Sequence, residues 1–390
     1  MTALLLVGLL WPEFRGPTGQ GISTATNLPV VWSTTSNVVW RQTIPGLGWS
    51  SPVLAGDGVF LTTAIESNNV VSLRALCLHA RTGKMRWNTE AFAPAVARAH
   101  TKNSQASPTP LIEGERLYVH YGHYGTACMD LAGKILWRTS AVKYSPVHGN
   151  AGSPIIAGDA LIFNCDGAEN PFVVALDKNS GDVLWKFIRN TDAKKKFSFS
   201  TPLLVNGQVI TVGSGAVFAL DPKSGKELWQ VPFAEGYSVV PRPVFGHGLI
   251  FISTGFDRPV VMAIGPGERS AEVAWTLNRG APNTPSLLLV GDELYIVSDG
   301  GMASCVDART GKVHWYERVG GNYSASPVYA DGKIYLQSEE GKGVVLQAGK
   351  EFRKLSENAL DEKSLASYAV GDGTLYIRTA EHLYCIGKGS

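Results

Sequence analysis

Register within a repeat puts three carboxylates at one position: Asp166, Asp299 and Glu339 each close the second strand of their unit. Acidic groups at one height could hold a cation or act as acid and base. Solvated rim charges are the plainer account of three acidic slots among eight. His120 and His123 flank one loop without a third ligand, so no zinc site is assigned. A second set lies just ahead of the innermost strands: His100, Lys102 and Asn103; Tyr144, His148 and Asn150; Lys196 and Phe197; Tyr237 and Arg242; Asn283; Tyr323; and Tyr368. Aromatic, amide and cationic groups converging on one mouth suit binding, whereas each residue taken alone suits ordinary loop bonding. From this set His100, Asn103, His148, Asn150, Tyr237, Arg242, Asn283 and Tyr323 are the candidate ligand-binding residues, and no catalytic or metal set is assigned. The chain has no Gly-rich phosphate loop, no Gly-x-Ser-x-Gly elbow and no Cys-x-x-Cys pair.

The elements that must position these residues are written in a repeat. Val217 to Trp229 reads as an apolar strand, a tight turn and a second strand closed by tryptophan; copies end at Trp87, Trp137, Trp185, Trp275 and Trp315. Successive tryptophans are 50, 48, 44, 46 and 40 residues apart, a period that with several short strands per unit marks a propeller. Asp177, Asp221 and Asp307 are placed to bond backbone N–H groups two residues on, and Gly181, Gly225 and Gly311 to accept positive φ. Each tryptophan offers a flat face to the next unit, a packing role. In the seventh unit register puts Arg353 where tryptophan should be, so that seam is expected to be weaker.

Near the N-terminus, Asn37 to Ile44 carries Trp40 and matches a fourth strand whose first three strands are missing locally. Ser364–Val370, Thr374–Thr379 and His382–Ile386 supply three strands with no closing one, so the termini should share a blade and remove the exposed edges. The expected fold is all-β: an eight-bladed β-propeller of four-stranded antiparallel blades over residues 37–387, the last blade closed by an N-terminal strand. Met1 to Leu10 resembles the remnant of a signal peptide, too short to span a bilayer. Residues 11–36, rich in proline and glycine, should form an arm along the surface.

Thirty-five basic against 33 acidic residues and a charged fraction of 17% argue against nucleic acid as a partner. Of five cysteines, Cys77, Cys128, Cys305 and Cys385 occupy the slot held by Ala175, Ala219 and Ala263 in sister copies, a place for a small buried side chain. One blade apart, they are too distant for disulfides.

The Ala-Leu-Asp-x-x-Ser/Thr-Gly-Lys-x-x-Trp repeat resembles the pyrroloquinoline-quinone-like (PQQ-like) β-propeller family, which includes quinoprotein alcohol dehydrogenases and the BamB lipoproteins of outer-membrane barrel assembly. Trp11-Pro-Glu-Phe-Arg-Gly-Pro, His100-Thr-Lys-Asn-Ser, Val147-His-Gly-Asn and Tyr237-Ser-Val-Val-Pro-Arg-Pro are similar to secreted bacterial members of unassigned function. The quinoprotein branch implies PQQ clamped by a disulfide of adjacent cysteines, with calcium held by Glu, Asn and Asp; no two cysteines here are adjacent, and no acidic residue matches the calcium motif. The expectation is therefore a periplasmic or secreted, monomeric, non-catalytic propeller without cofactor, binding a protein, peptide or glycan of the cell envelope on its irregular loop face. A PQQ-dependent oxidoreductase is the alternative.

Overall fold

Each unit of the repeat folds into one antiparallel sheet, and eight sheets make up the ring in the computed structural model, which describes residues 9–95, 99–234 and 236–388. Blades 1 to 7 follow the chain, and blade 8 is the shared one: Val38–Thr43 pairs with His382–Gly387, Trp40 facing Cys385. The all-β, eight-bladed reading and the closure by an N-terminal strand thus hold. Blade 1 has a fifth strand, Leu9–Trp11, against its innermost Val53–Gly56. Residues 1–8, which carry most of the signal-like stretch, lie outside the described residues.

The repeat residues do what their chemistry demands. Asp221 Oδ1 accepts the backbone N–H groups of Lys223 and Ser224, and Asp177 and Asp307 close their turns alike. Pairing slips by one residue between Ala219↔Trp229 and Leu220↔Glu227, a bulge that recurs at the corresponding place in the other blades and swings the indole toward the next one. Its N–H then reaches a carbonyl there: Trp137 to Lys178 at 3.0 Å, Trp185 to Pro222 at 2.9 Å, Trp40 to Ala80 at 2.8 Å. Gly181, at φ 80°, is required twice over, since a Cβ would come within 2.6 Å of the Trp137 ring. Opposite these tryptophans sit Cys77, Cys128, Cys305 and Cys385, all buried and free.

Two expectations are corrected. In blade 7 the turn closes by Gln347 N–H donating to the Arg353 carbonyl, as Asp221 N–H does to Lys226 in blade 4. Arg353 is therefore the counterpart of Lys226, and the tryptophan slot three residues on is Ser356, facing Val345. The seam is not left weak. Trp32, 2% exposed, stacks on Tyr335 with ring centroids 6.4 Å apart. Tyr118, Tyr295 and Tyr376, at the same strand position, pack against the tryptophans of their own blades. Gly343 leaves the room, for a Cβ there would overlap the Trp32 ring.

The second correction concerns the arm that delivers Trp32. Residues 12–22 do not lie along the surface but cross the axial channel, where the innermost strands present unpaired backbone edges. The part beyond alternates between exposed and buried positions on its way to Trp32. Pro12 O accepts Ile112 N–H in blade 2, Gln20 Oε1 accepts Phe245 N–H in blade 5, and Ile22 bridges Tyr329 in blade 7. Trp11 and Arg15 are buried.

Candidate functional site

The chain turns into each innermost strand through one position: Ser51, Thr109, Ser153, Thr201, Arg242, Ser286, Ser326 and Ser367. Six of the eight precede proline, which has no N–H of its own to offer. At six of the eight the N–H goes sideways to the neighbour's hydroxyl: Ser51 to Thr109, Thr109 to Ser153, Ser153 to Thr201, Arg242 to Ser286, Ser286 to Ser326 and Ser326 to Ser367, at 2.8–3.0 Å. Arg242 interrupts the hydroxyls. Its guanidinium turns inward to Glu13 at 3.0 Å, Phe14 O at 2.6 Å and Pro202 O at 3.0 Å, anchoring the arm.

On this ring rests a cavity of about 310 Å³, walled by Trp49, His100, His148, Phe199, Tyr237 and Phe256 and touched by Phe14 of the arm. No described residue lining it is Asp or Glu. Its rim is tied at one carbonyl: His100 backbone N–H donates to His148 O at 3.1 Å and the Asn103 side-chain Nδ2 to the same oxygen at 2.9 Å. The two imidazoles meet edge to face, 5.2 Å between centroids, and His148 also meets Phe197, which meets Tyr237. Partial burial, then the His100 charge, pushes the His148 pKa below its ordinary value. Lys102 reaches across the mouth to Glu339 of blade 7 at 2.8 Å.

Four of the eight candidate residues thus line one cavity: His100, Asn103, His148 and Tyr237. The other four do not. Asn150 is buried, accepting from Tyr144 OH and donating to Tyr121 O. Arg242 holds the arm. Asn283 docks by its backbone N–H on Asp299, and Tyr323, 1% exposed, belongs to the core between blades 6 and 7. Trp49, Phe14, Phe199, Phe256 and the hydroxyl ring went unread, although Ser-Pro or Thr-Pro recurring ahead of the inner strands was a usable signal.

The three aligned carboxylates do not form a set. Asp166 pairs with Arg189 at 2.8 Å, both side chains fully buried, and burial raises the Asp166 pKa against that pairing. Asp299 binds Asn283 N–H and the Thr284 hydroxyl; Glu339 takes Lys102 and the Ser324 hydroxyl. Among the described residues no three His, Cys, Asp or Glu side chains are grouped to hold a metal. His120 is buried with Nδ1 2.8 Å from the Thr126 hydroxyl, and burial, then His123, pushes its pKa down to about 3.

A family model described as outer membrane protein assembly factor BamB matches residues 26–186, 133–288 and 268–380. The chain belongs to this PQQ-like propeller family. It is 26% identical over 199 residues to the outer membrane protein assembly factor BamB of Yersinia pestis, covering 43% of this chain and 47% of that protein. It is 27% identical over 226 residues to the lanthanide-dependent methanol dehydrogenase of Methylorubrum extorquens, covering 50% of this chain and 34% of the enzyme. The matches thus span less than half the length of these two relatives. Among solved structures, BamB of Moraxella catarrhalis superposes with a TM-score of 0.65 at 16% identity, over 89% of this chain and 96% of that one. The quinohemoprotein alcohol dehydrogenase of Comamonas testosteroni gives 0.69 at 12% identity, over 98% and 81%. Likeness at that identity is likeness of fold.

Proposed function

We propose that this chain is an exported, non-catalytic, monomeric propeller that binds a protein, peptide or glycan of the cell envelope on its loop face, with the axial cavity at the centre of the contact. The observation that carries the reading is the lining of that cavity: aromatic rings, imidazoles, an amide and hydroxyls, with every aligned carboxylate already committed elsewhere. Such walls recognise shape and hydrogen-bonding groups, and among the described residues no lining hydroxyl is hydrogen-bonded to either imidazole. The kinship with proteins named outer membrane assembly factors supports the envelope location, and no helix among the described residues is long and apolar enough to cross a membrane.

The dehydrogenase relatives raise the question of PQQ with calcium. The residues present do not fit the centre which that resemblance implies: the five cysteines are buried, free and in five different blades, and Asp166, Asp299 and Glu339 are engaged as described. Mixed with PQQ and calcium, the purified chain should show neither saturable quinone binding nor dye-linked alcohol oxidation; turnover above a heat-killed control would favour the oxidoreductase.

The binding reading is tested by capture from envelope extract followed by titration. His148→Ala and Tyr237→Ala should each weaken affinity about thirtyfold, the loss of about 2 kcal/mol typical of a hot spot. Lys223→Ala and Lys312→Ala, in tight turns of the opposite face, should be silent. Equal loss from both pairs would remove the cavity from the contact.

A further inference from the structure

The hydroxyl ring is more than a fastener. Thr109, Ser153, Thr201 and Ser367 each receive a neighbour's N–H, Ser286 receives both Arg242 N–H and Ser326 O–H, and Ser51 receives nothing. None of these six has an acceptor for its own O–H among the described residues, and all six line the cavity. A hydroxyl that already accepts a backbone N–H is fixed in place and left with a donor. The cavity floor is therefore a set of O–H donors with no protein acceptor facing them.

An independent observation gives the floor its charge. Arg15 is fully buried, and its Nη2 donates to Gln20 O at 3.0 Å and Pro327 O at 3.4 Å, beside ring residue Ser326. Its Nε and Nη1 have no partner. The Arg242 guanidinium is near enough to disfavour the Arg15 charge and is itself paired with Glu13. Arg15 has no carboxylate partner among the described residues, so a positive charge is buried in the arm beside Phe14, which lines the cavity, and low dielectric makes it felt there. Buried charge without a counter-charge is costly, and an anionic ligand supplies one.

We propose that the axial cavity takes up a carboxylate group carried on an apolar or aromatic body, either the C-terminus of a peptide or a small free acid, with the ring hydroxyls as its donors. A carboxylate is favoured over a phosphate, because among the described residues lining the cavity the one Lys or Arg, Lys102, is already paired with Glu339. The aromatic walls fit the body that carries it, and a cavity of about 310 Å³ is at the small end of ligand sites, room for a chain end. This rests on the reading of the cavity as a binding site given under Proposed function.

The test is calorimetric titration of the full chain with N-acetyl-Ala-Ala-Phe as free acid, with its C-terminal amide, and with phenylacetate. The free acid should bind and the amide should be at least about tenfold weaker, since hydrogen bonds to a charged acceptor are the strong ones. Ser51→Ala, whose hydroxyl makes no bond within the fold, should weaken the acid severalfold and narrow the gap to the amide; Arg15→Lys should do the same. Phenylacetate binding as tightly as the tripeptide acid would support a small acid as the source, and clearly weaker binding a chain end. Equal affinity for acid and amide, or no saturable binding of any probe up to about 1 mM, overturns the proposal. The capture assay with His148→Ala and Tyr237→Ala reads the binding role separately.

Discussion

The outer belt of tryptophans and the inner ring of hydroxyls run around the same disc; the belt lacks its indole in one blade and the ring lacks its hydroxyl at one position. The belt breaks at Ser356 and is refilled by Trp32. The ring breaks at Arg242, which gives up the hydroxyl to hold Glu13 and Phe14. Both interruptions are served by the one segment that belongs to no blade, so the arm is a working part of the propeller. The two circles differ in kind. The belt is apolar packing with an indole N–H bond across most of its seams, and its gap is made good by another indole, whose own Nε1 has no partner. The ring is a polar circuit, and its gap is closed by an ion pair at the axis.

The largest expected effect comes from removing both repairs and the closure together. A chain beginning at Pro45 lacks Trp11, Arg15, Trp32 and Trp40 and should give no cooperative melt. One beginning at Asn37 keeps Val38–Thr43 and should fold, with a lowered Tm. Equal melting of the Pro45 chain and the full chain would mean that neither repair matters.

Trp32→Ala isolates the belt. Truncating a buried tryptophan typically costs about 3–5 kcal/mol, and the loss should overlap with that of Tyr335→Ala instead of adding to it, because the rings are in contact. Urea unfolding of both single variants and the double variant reads this directly. Additive losses would show that Trp32 is not seated as a blade tryptophan.

Arg242→Thr isolates the ring. It restores a hydroxyl for Thr201 N–H but strands Glu13, whose side chain is 20% exposed. The cost should be about 2–3 kcal/mol, less than for a fully buried pair, and adding Glu13→Gln should recover most of it. No recovery in the double variant would mean that the arm, not the ring, sets the price of that position.

The two circles were not equally legible in the sequence. The belt was, because a tryptophan at a fixed offset from Asp and Gly is a local pattern; it misled only at Arg353, where the Ala-Leu-Asp anchor is absent and a longer turn moves the slot to Ser356. The shared blade was legible for the same reason. The ring was not, since a small hydroxyl before proline looks like any turn, and its meaning lies in bonds between residues some 40 positions apart. Arg242 and Tyr323 were taken for mouth residues because sequence fixes which loop a residue occupies, but not whether it turns into the core. The arm was unreadable: its partners, from Ile112 to Asn358, follow no periodicity.

Acid should separate the buried His120 of blade 2 from the belt, whose indoles do not titrate. His120 is buried, and its pKa is lowered from 6.5 to about 3. Below pH 6.5 the unfolded chain binds a proton that the folded chain refuses, so stability is full above that pH and falls as the pH drops toward 3. His120 by itself would lose about 2 kcal/mol between pH 7 and 5. Asp166, its pKa raised to about 6 by burial, works in the opposite sense over the same interval, so the His120 share is the difference between the full chain and His120→Gln. In His120→Gln the slope should flatten, whereas in Trp32→Ala it should survive; urea midpoints at the two pH values decide.

The smallest effect tests the one seam that differs in wiring. Among the seven blade tryptophans Trp229 alone does not reach the next blade directly: its N–H donates to Gln208 Oε1 of its own blade at 3.0 Å. Gln208 Nε2 in turn donates to Gly267 O at 3.0 Å, in the outer hairpin of blade 5. The amide therefore relays the bond that the other indoles make themselves. Gln208→Met keeps the length and packing but breaks the relay at both ends, and because the position is only half-buried water can replace part of what is lost. The expected cost is about 1 kcal/mol, the net value of an ordinary hydrogen bond, seen as a lowered urea midpoint with unchanged slope. A loss as large as that of Trp32→Ala would mean that the seam between blades 4 and 5 is held by the amide and not by the indole, and the belt would then be broken in two places instead of one.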